Sequence, residues 1–465
     1  MPAKNLVAIS SPGKVLLAGG YLVVDREYTG LVFGLDARIH VLAQKLETTK
    51  GVSLSEIIVR SPQFTDAEWR YGYRSMENGG GIEVTQLTGH STSGQSRNKF
   101  VETALAYALT YIASKTAYNI HPASIIILAD TDYYSESQGW KQADSSSKWR
   151  DFHIPLNEVH KTGLGSSAAL VTAFIAAFLS HYLPSTLFDV HDADGKAKLH
   201  NLAQAAHSHA QGKIGSGFDV AAAVYGSCVY RRFSPLILER IGDIGMAGFS
   251  ERLGSTTDDD GQSKMWDLQI EKDRAVVPKA LRLLMCDVDC GSETPGMVKR
   301  IFSWRKEHPE EAALLWATLQ KANEDFAAEL QRLSNQDADS SSYQELREII
   351  LNIRSLVREM SSKANVPIEP EVITELLDAC SSLPGVLGGL APGAGGFDAV
   401  VLVVEDHPEV VESLQKFLDN YQATATEVEG EKTTIGKVKL LGVKQEMEGT
   451  KSELTSTYEK WLERL

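Results

Sequence analysis

Apolar positions in the first 75 residues fall in short runs, LVAIS, KVLLAGGYLVVD, LVFGLDARIHVLAQKLE, EIIVRS and EWRYGY, broken by Gly, Pro and Asp. Runs of this length with such punctuation predict strands. From Asn98 to Tyr118 the spacing changes: Phe100, Ala104, Leu105, Ala108, Tyr111 and Ile112 recur at helical intervals. ASIIILA (Ala123–Ala129) predicts a buried strand. Ser166 to Tyr182 is apolar nearly all round, which predicts a central helix, and Gly195 to Gln211 a second one. The polar segment Asp130–His160 is too long for an ordinary connection, so it is either a lid over a bound ligand or an exposed insertion.

Ser250 to Lys264, with its DDDGQS, predicts a surface excursion. From about Ala280 a strand, LRLLMCDVD, precedes amphipathic helices over Pro295–Lys306, Glu310–Leu333, Tyr343–Ser361 and Pro370–Ser382. The Gly-rich GVLGGLAPGAGG, a strand DAVVLVV, a helix from His407 and a terminal hairpin and tail complete the chain. No solenoid period recurs. The pattern predicts an α+β protein with a strand-rich domain over 1–240, a connecting surface segment over 241–279 and a helix-rich domain over 280–465.

Length and charge narrow the partners. The 465 residues are roughly three times a ~150-residue domain, so one large or two medium domains are expected. Lys and Arg number 46 against 61 Asp and Glu, a net charge of −15. Such a surface repels phosphate backbones and disfavours nucleic-acid or anionic-membrane binding. Any anionic ligand must be held by a local cluster of donors. The four cysteines, Cys228, Cys286, Cys290 and Cys380, form no CxxC pair and read as core thiols. No run approaches the ~20 apolar residues of a membrane span. The expectation is a cytoplasmic protein, monomeric or homodimeric.

Three clusters join glycines to hydroxyls, amides or a charge. The first is Ser10-Ser11-Pro12-Gly13-Lys14 with Gly19-Gly20. The second, Lys161 to Ala169, holds Gly163, Leu164, Gly165, Ser166, Ser167, Ala168 and Ala169 at the start of the central helix. Unpaired N–H groups and the helix dipole make such a terminus an anion site, and two serines at its mouth can bind phosphate oxygens or Mg²⁺. Plain N-capping by Ser166 is the competing reading. The third cluster runs from Gly385 to Gly396. No GxxxxGK[ST] occurs, and GLGSSA follows no clear strand, so neither a P-loop nor a Rossmann site is supported. Gln211 to Ala223, QGKIGSGFDVAAA, sets Asp219 at the rim of a further glycine loop, as a ligand-facing carboxylate or a helix cap. His207 and His209, two residues apart on a helix, do not make a metal pair.

As an ordered set, PGKVLLAGGY, GLGSSAA and APGAGGFDA resemble the motifs of the GHMP small-molecule kinases. Within that family NKFVETAL, TGLGSSAALV, AQGKIGSGFDVAAAVYGS and GSETPGMV are most similar to the fungal-type phosphomevalonate kinases, across nearly the whole chain. The resemblance implies a ribosomal-S5-like N-terminal domain with a left-handed βαβ unit, a ferredoxin-like C-terminal domain, and ATP in the crevice between them. The implied reaction is ATP-dependent phosphorylation of 5-phosphomevalonate to 5-diphosphomevalonate with Mg²⁺, in isoprenoid and sterol synthesis.

Carried over by motif, Lys14 and Asp219 are the catalytic pair, Gly163 to Ala169 hold ATP, and Ser166 and Ser167 serve the metal. Ser216, Gly217, Gly393, Ala394 and Gly395 line the acceptor side. Mevalonate kinases carry a glutamate metal ligand where this chain has Ser208, so no carboxylate ligand is assigned. A phosphorylated acceptor demands further cations: Lys99 and Lys213 are the candidates, with Arg231, Arg232 and Lys299 behind them. Two rivals stand beside this reading: a GHMP kinase for a neutral alcohol such as mevalonate, and a non-catalytic nucleotide-binding homologue.

Overall fold

The computed structural model describes residues 6–46, 55–87, 97–116, 120–135, 148–259, 265–289, 296–335, 343–423, 426–428 and 431–463. Six strands form the body of the first sheet: β1 (Leu6–Ala18), β2 (Gly30–Lys45), β3 (Glu56–Arg60), β4 (Glu68–Ser75), β5 (Ile82–Gln86) and β6 (Ala123–Ala129). Their order is β1-β2-β6-β3-β4-β5. All neighbours are antiparallel except β3 and β6, which run parallel. Parallel neighbours need a crossover, and α1 (Lys99–Lys115) lies within it, after β4 and β5. β5 escaped the sequence reading because a five-residue edge strand gains its identity from pairing with β4 rather than from its own pattern.

Helices α2 (Ser166–Tyr182), α3 (Ala193–Gln211) and α4 (Phe218–Tyr225) complete this layer. α2 packs on β1 and β2 and is buried from Ala168 to His181 apart from Leu170, as its apolar circumference requires.

The second sheet is antiparallel throughout, in the order Val386–Leu390, Ala399–Glu405, Leu281–Asp289, Lys437–Leu440. Numbered along the chain this is 2-3-1-4, with helices between the first and second strands and between the third and fourth. That is the ferredoxin-like βαββαβ arrangement. Part of the third glycine cluster is therefore strand, and only its end is loop.

Two expectations about organisation change. Residues 250–258 are no surface excursion: Phe249–Asp258 is a helix with Phe249 and Leu253 fully buried, and Phe249 meets Tyr107 edge-on at 5.5 Å. Two large apolar residues four apart gave too weak a pattern to read; 260–264 lie outside the described residues. The chain also leaves the second sheet after Leu440. Gln445–Glu446 pairs with β2, Lys451–Ser452 with β1, and Tyr458 and Trp461 are buried with Leu42 and Ile126. Two-residue strands have no local signature, so a boundary drawn by pattern misses this return.

Among the described residues no helix is long and apolar enough to cross a membrane. Cys228, Cys286 and Cys380 are buried free thiols, while Cys290 and residues 291–295 of GSETPGMV lie outside the described residues. So do residues 136–147 of the long polar segment.

Candidate active site

Lys14 lies on β1 just beyond a β-bulge between Pro12 and Gly13. A bulge re-aims the side chain that follows it. The Lys14 amide donates to the Leu164 carbonyl at 2.9 Å and its Nζ to the Gly163 carbonyl at 3.3 Å, which ties the first glycine cluster to the second. Gly165 leaves room for this contact: with φ +80°, a Cβ there would stand 2.7 Å from Lys14 Cε. Burial lowers the Lys14 pKa, and the negative charge of Asp219 opposes that shift. The acid thus favours the cationic form of the lysine.

The helix behind this loop starts without a side-chain cap. Its N-cap is Gly165 in the left-handed region, so Ser166 is not the capping residue. Gly163, also at positive φ, would carry a Cβ into open space. The first turn of α2 therefore keeps unsatisfied amides beside two partly buried serines, the geometry that binds phosphate.

Asp219 is in the first turn of α4, which is likewise capped by a left-handed glycine, Gly217. One carboxylate oxygen accepts from the Val220 amide at 3.0 Å, and the other lies 3.8 Å from Nδ1 of His207. The opposite ring nitrogen of His207 is 3.1 Å from Ser167 Oγ and 3.2 Å from the Gln211 amide nitrogen. Sequence reasoning weighed His207 only as a metal ligand and missed this bridge. The spacing from His207 to Gln211, one helical turn, was the available signal.

The third cluster closes on the first. The Gly393 amide donates to the Leu16 carbonyl at 2.9 Å, and Tyr21 Oη donates to the Ala394 carbonyl at 2.6 Å. Approach here is so close that a Cβ on Gly20 would stand 2.1 Å from the Gly393 oxygen. Gly395, at φ +67°, is pressed equally close to the Ile368 carbonyl.

Lys99 and Lys213 line one open cavity of about 600 Å³ with Tyr107, Ser208 and His209. Lys99 opens α1 and Lys213 follows α3, so two helix ends bring the cations together. His209, lowered in pKa chiefly by burial, is pushed the same way by Lys99 and the other way by Asp243. Ser208 accepts a hydrogen bond from Gln204 at 3.0 Å.

Ser216 and Gly217 belong to the loop that leads from Lys213 to α4, where Tyr230 Oη donates to the Ser216 carbonyl at 2.9 Å. Arg232 is not a ligand-facing cation. It is buried and donates to the carbonyls of Val24 and Gly215, both at 2.7 Å, which staples the glycine loop down. Lys299 is exposed on the helix Met297–Glu307.

Residues 147–227 match the GHMP kinases N terminal domain and residues 314–421 the GHMP kinases C terminal domain. The phosphomevalonate kinase of Gibberella zeae is 50% identical, with 98% of each chain covered. That of Aspergillus fumigatus is 46% identical, covering 98% of this chain and 99% of its own. Among solved structures, Streptococcus pneumoniae phosphomevalonate kinase in complex with phosphomevalonate and AMPPNP shares the fold, at TM-score 0.57 and 16% identity over 88% of this chain and 95% of its own. By identity sustained over nearly its full length, the chain belongs to the GHMP kinases, in the family of the fungal phosphomevalonate kinases.

Proposed function

We propose that this chain transfers the γ-phosphoryl group of ATP to 5-phosphomevalonate, giving ADP and 5-diphosphomevalonate, in isoprenoid and sterol synthesis. The observation that carries the reading is the convergence of Lys14, the amide-rich start of α2 and Asp219, with a cavity lined by Lys99 and Lys213 at the start of the loop that leads to Asp219. Phosphoryl transfer asks for positioning and charge neutralisation rather than covalent chemistry. The Gly163–Ala169 loop cradles the nucleotide phosphates, and Lys14 neutralises charge on the group in flight. Lys99 and Lys213 hold the acceptor's own phosphate. A neutral alcohol would have no use for that pair. Ser216, Gly217, Gly393, Ala394 and Gly395 line the acceptor's side of the crevice.

A phosphate monoester has a second pKa near ~6 and is largely dianionic at neutral pH. Asp219 therefore acts chiefly by orienting and charging Lys14, with proton removal secondary. Mg²⁺ fits the donor set: it favours few protein ligands, waters and substrate phosphates, and two partly buried serine hydroxyls stand at the start of α2. Ser166 and Ser167 would hold it, and it would supply charge neutralisation on the ATP phosphates. We place the reaction in a reducing, cytoplasmic compartment, which the three buried free thiols support.

The test is ADP release measured with phosphomevalonate, with mevalonate and with no acceptor. Release only with phosphomevalonate is expected. Equal or greater release with mevalonate would overturn the substrate, and none with any acceptor would favour a nucleotide-binding homologue.

A further inference from the structure

The most informative feature outside the motif residues is the ring of His207. Its side chain is buried, facing Asp219 with one nitrogen and Ser167 with the other. Phe100 stacks beside it with centroids 5.7 Å apart and planes 28° from parallel, so the ring plane is fixed. Four helices therefore meet on one imidazole: α1 through Phe100, α2 through Ser167, α4 through Asp219, and its own α3. The Gln211 amide nitrogen is only a donor, and it points at Nε2. The lone pair accordingly lies on Nε2 and the ring proton on Nδ1, the atom facing Asp219.

We propose that His207 is a positioning residue for phosphoryl transfer, holding the Asp219 carboxylate toward Lys14 and coupling it to the nucleotide-binding serine loop. This role rests on the phosphoryl-transfer reading above. It assigns His207 no contact with substrate. One Asp219 oxygen accepts from the adjacent Val220 amide at 3.0 Å, while the other faces Nδ1 of the ring at 3.8 Å, an electrostatic approach rather than a hydrogen bond. Misplacement of a reacting group by about 1 Å can cost about 100-fold in rate, and that is the size of effect a lost anchor should have.

The two nitrogens can be separated by substitution. An Asn amide reaches roughly where Nδ1 stands, and a Gln amide roughly where Nε2 stands. His207→Asn therefore keeps a donor for Asp219, whereas His207→Gln keeps only the Ser167 side.

Steady-state kinetics of the full chain with ATP and phosphomevalonate should show kcat falling about 100-fold in His207→Ala and His207→Gln. His207→Asn should recover at least about tenfold of that loss, with both KM values within about threefold of wild type. In an Asp219→Asn background the further cost of His207→Ala should shrink to less than about threefold, because a group acting through Asp219 has nothing left to position. Thermal melting of each variant separates misfolding from misplacement.

A kcat for folded His207→Ala within threefold of wild type overturns the proposal. So does better recovery by Gln than by Asn, or an undiminished cost in the Asp219→Asn background. Loss of transfer in the wild type itself would instead refute the substrate reading. The positioning geometry then stands or falls on ¹⁵N-histidine spectra of the free protein, assigned by His207→Asn. A ring protonated at Nδ1 is expected, and a proton on Nε2 would refute it.

Discussion

Lys14 and Asp219 stand in a mutual relation that neither could have alone. Burial lowers the pKa of a lysine beside a loop of carbonyls, and the nearby carboxylate opposes that shift. Lys99 and Lys213 line a cavity together, and in the proposed function they hold the acceptor's phosphate. Truncating either to Ala should raise the KM for phosphomevalonate about tenfold while moving that for ATP less than threefold, the loss of roughly 1.4 kcal/mol of binding. Initial rates at varied acceptor and fixed ATP, then the reverse, measure the difference; equal shifts in both would remove these lysines from the acceptor's phosphate. Residue identity was legible at these positions because lysine and aspartate among glycines leave few structural roles. His207 was not legible, because an imidazole has core, metal and relay roles that only its neighbours distinguish.

At the scale of elements, the site is a set of helix starts and one bulged strand. α2 and α4 both begin at a left-handed glycine that turns the chain sharply and offers no side-chain cap; at α4 the Val220 amide is taken up by Asp219. Gly165 has a second duty in admitting the Lys14 stem. Gly165→Ala would strain a φ of +80° and drive a methyl to 2.7 Å from Cε of Lys14. The expected result is a fall in kcat of about 100-fold with a stability loss of only about 1–2 kcal/mol, read by single-turnover kinetics beside denaturant unfolding. A variant with unchanged kcat would show that the loop and the lysine move independently. The helix Ser166–Tyr182 has the bounds its apolar run predicts, and the other long helices differ from theirs only near the ends. The helix at Phe249–Asp258 and the strand Ile82–Gln86 are not predicted by pattern, because packing partners rather than their own sequence stabilise them.

For the whole molecule, burial of titratable groups sets the response to pH. His200 is fully buried between Trp266 and Tyr225, and burial pushes its pKa down to about 4. His40, shielded under the C-terminal Tyr458 and bonded to Asp130, is shifted in the same direction. An unfolded chain takes up a proton near pH ~6.5 that the folded chain refuses. Stability is therefore complete above about pH 6.5 and declines as pH falls toward 4, by about 3 kcal/mol from His200 alone at ~1.4 kcal/mol per unit. Asp36, Asp132 and Asp287, whose carboxyl pKa values burial raises, work against this decline at its acid end. Comparing wild type with His200→Phe by urea unfolding at pH 7.5 and 5 isolates the histidine. A wild-type decline no steeper than that of the variant would refute the assignment.

At the same scale the chain carries a net charge of −15, against which Lys99 and Lys213 stand together on one cavity. The chain's own sequence determined which segments are strands and long helices, where glycine loops interrupt them, and which residue types could meet phosphate. These follow from local periodicity and backbone freedom, which act over a few residues. Tertiary structure alone decided that the third glycine cluster closes on Gly20, that residues 445–462 return to the first sheet, and that one imidazole joins Ser167 to Asp219. Those contacts join residues from 12 to 443 positions apart, and packing geometry, which no local pattern encodes, selects them.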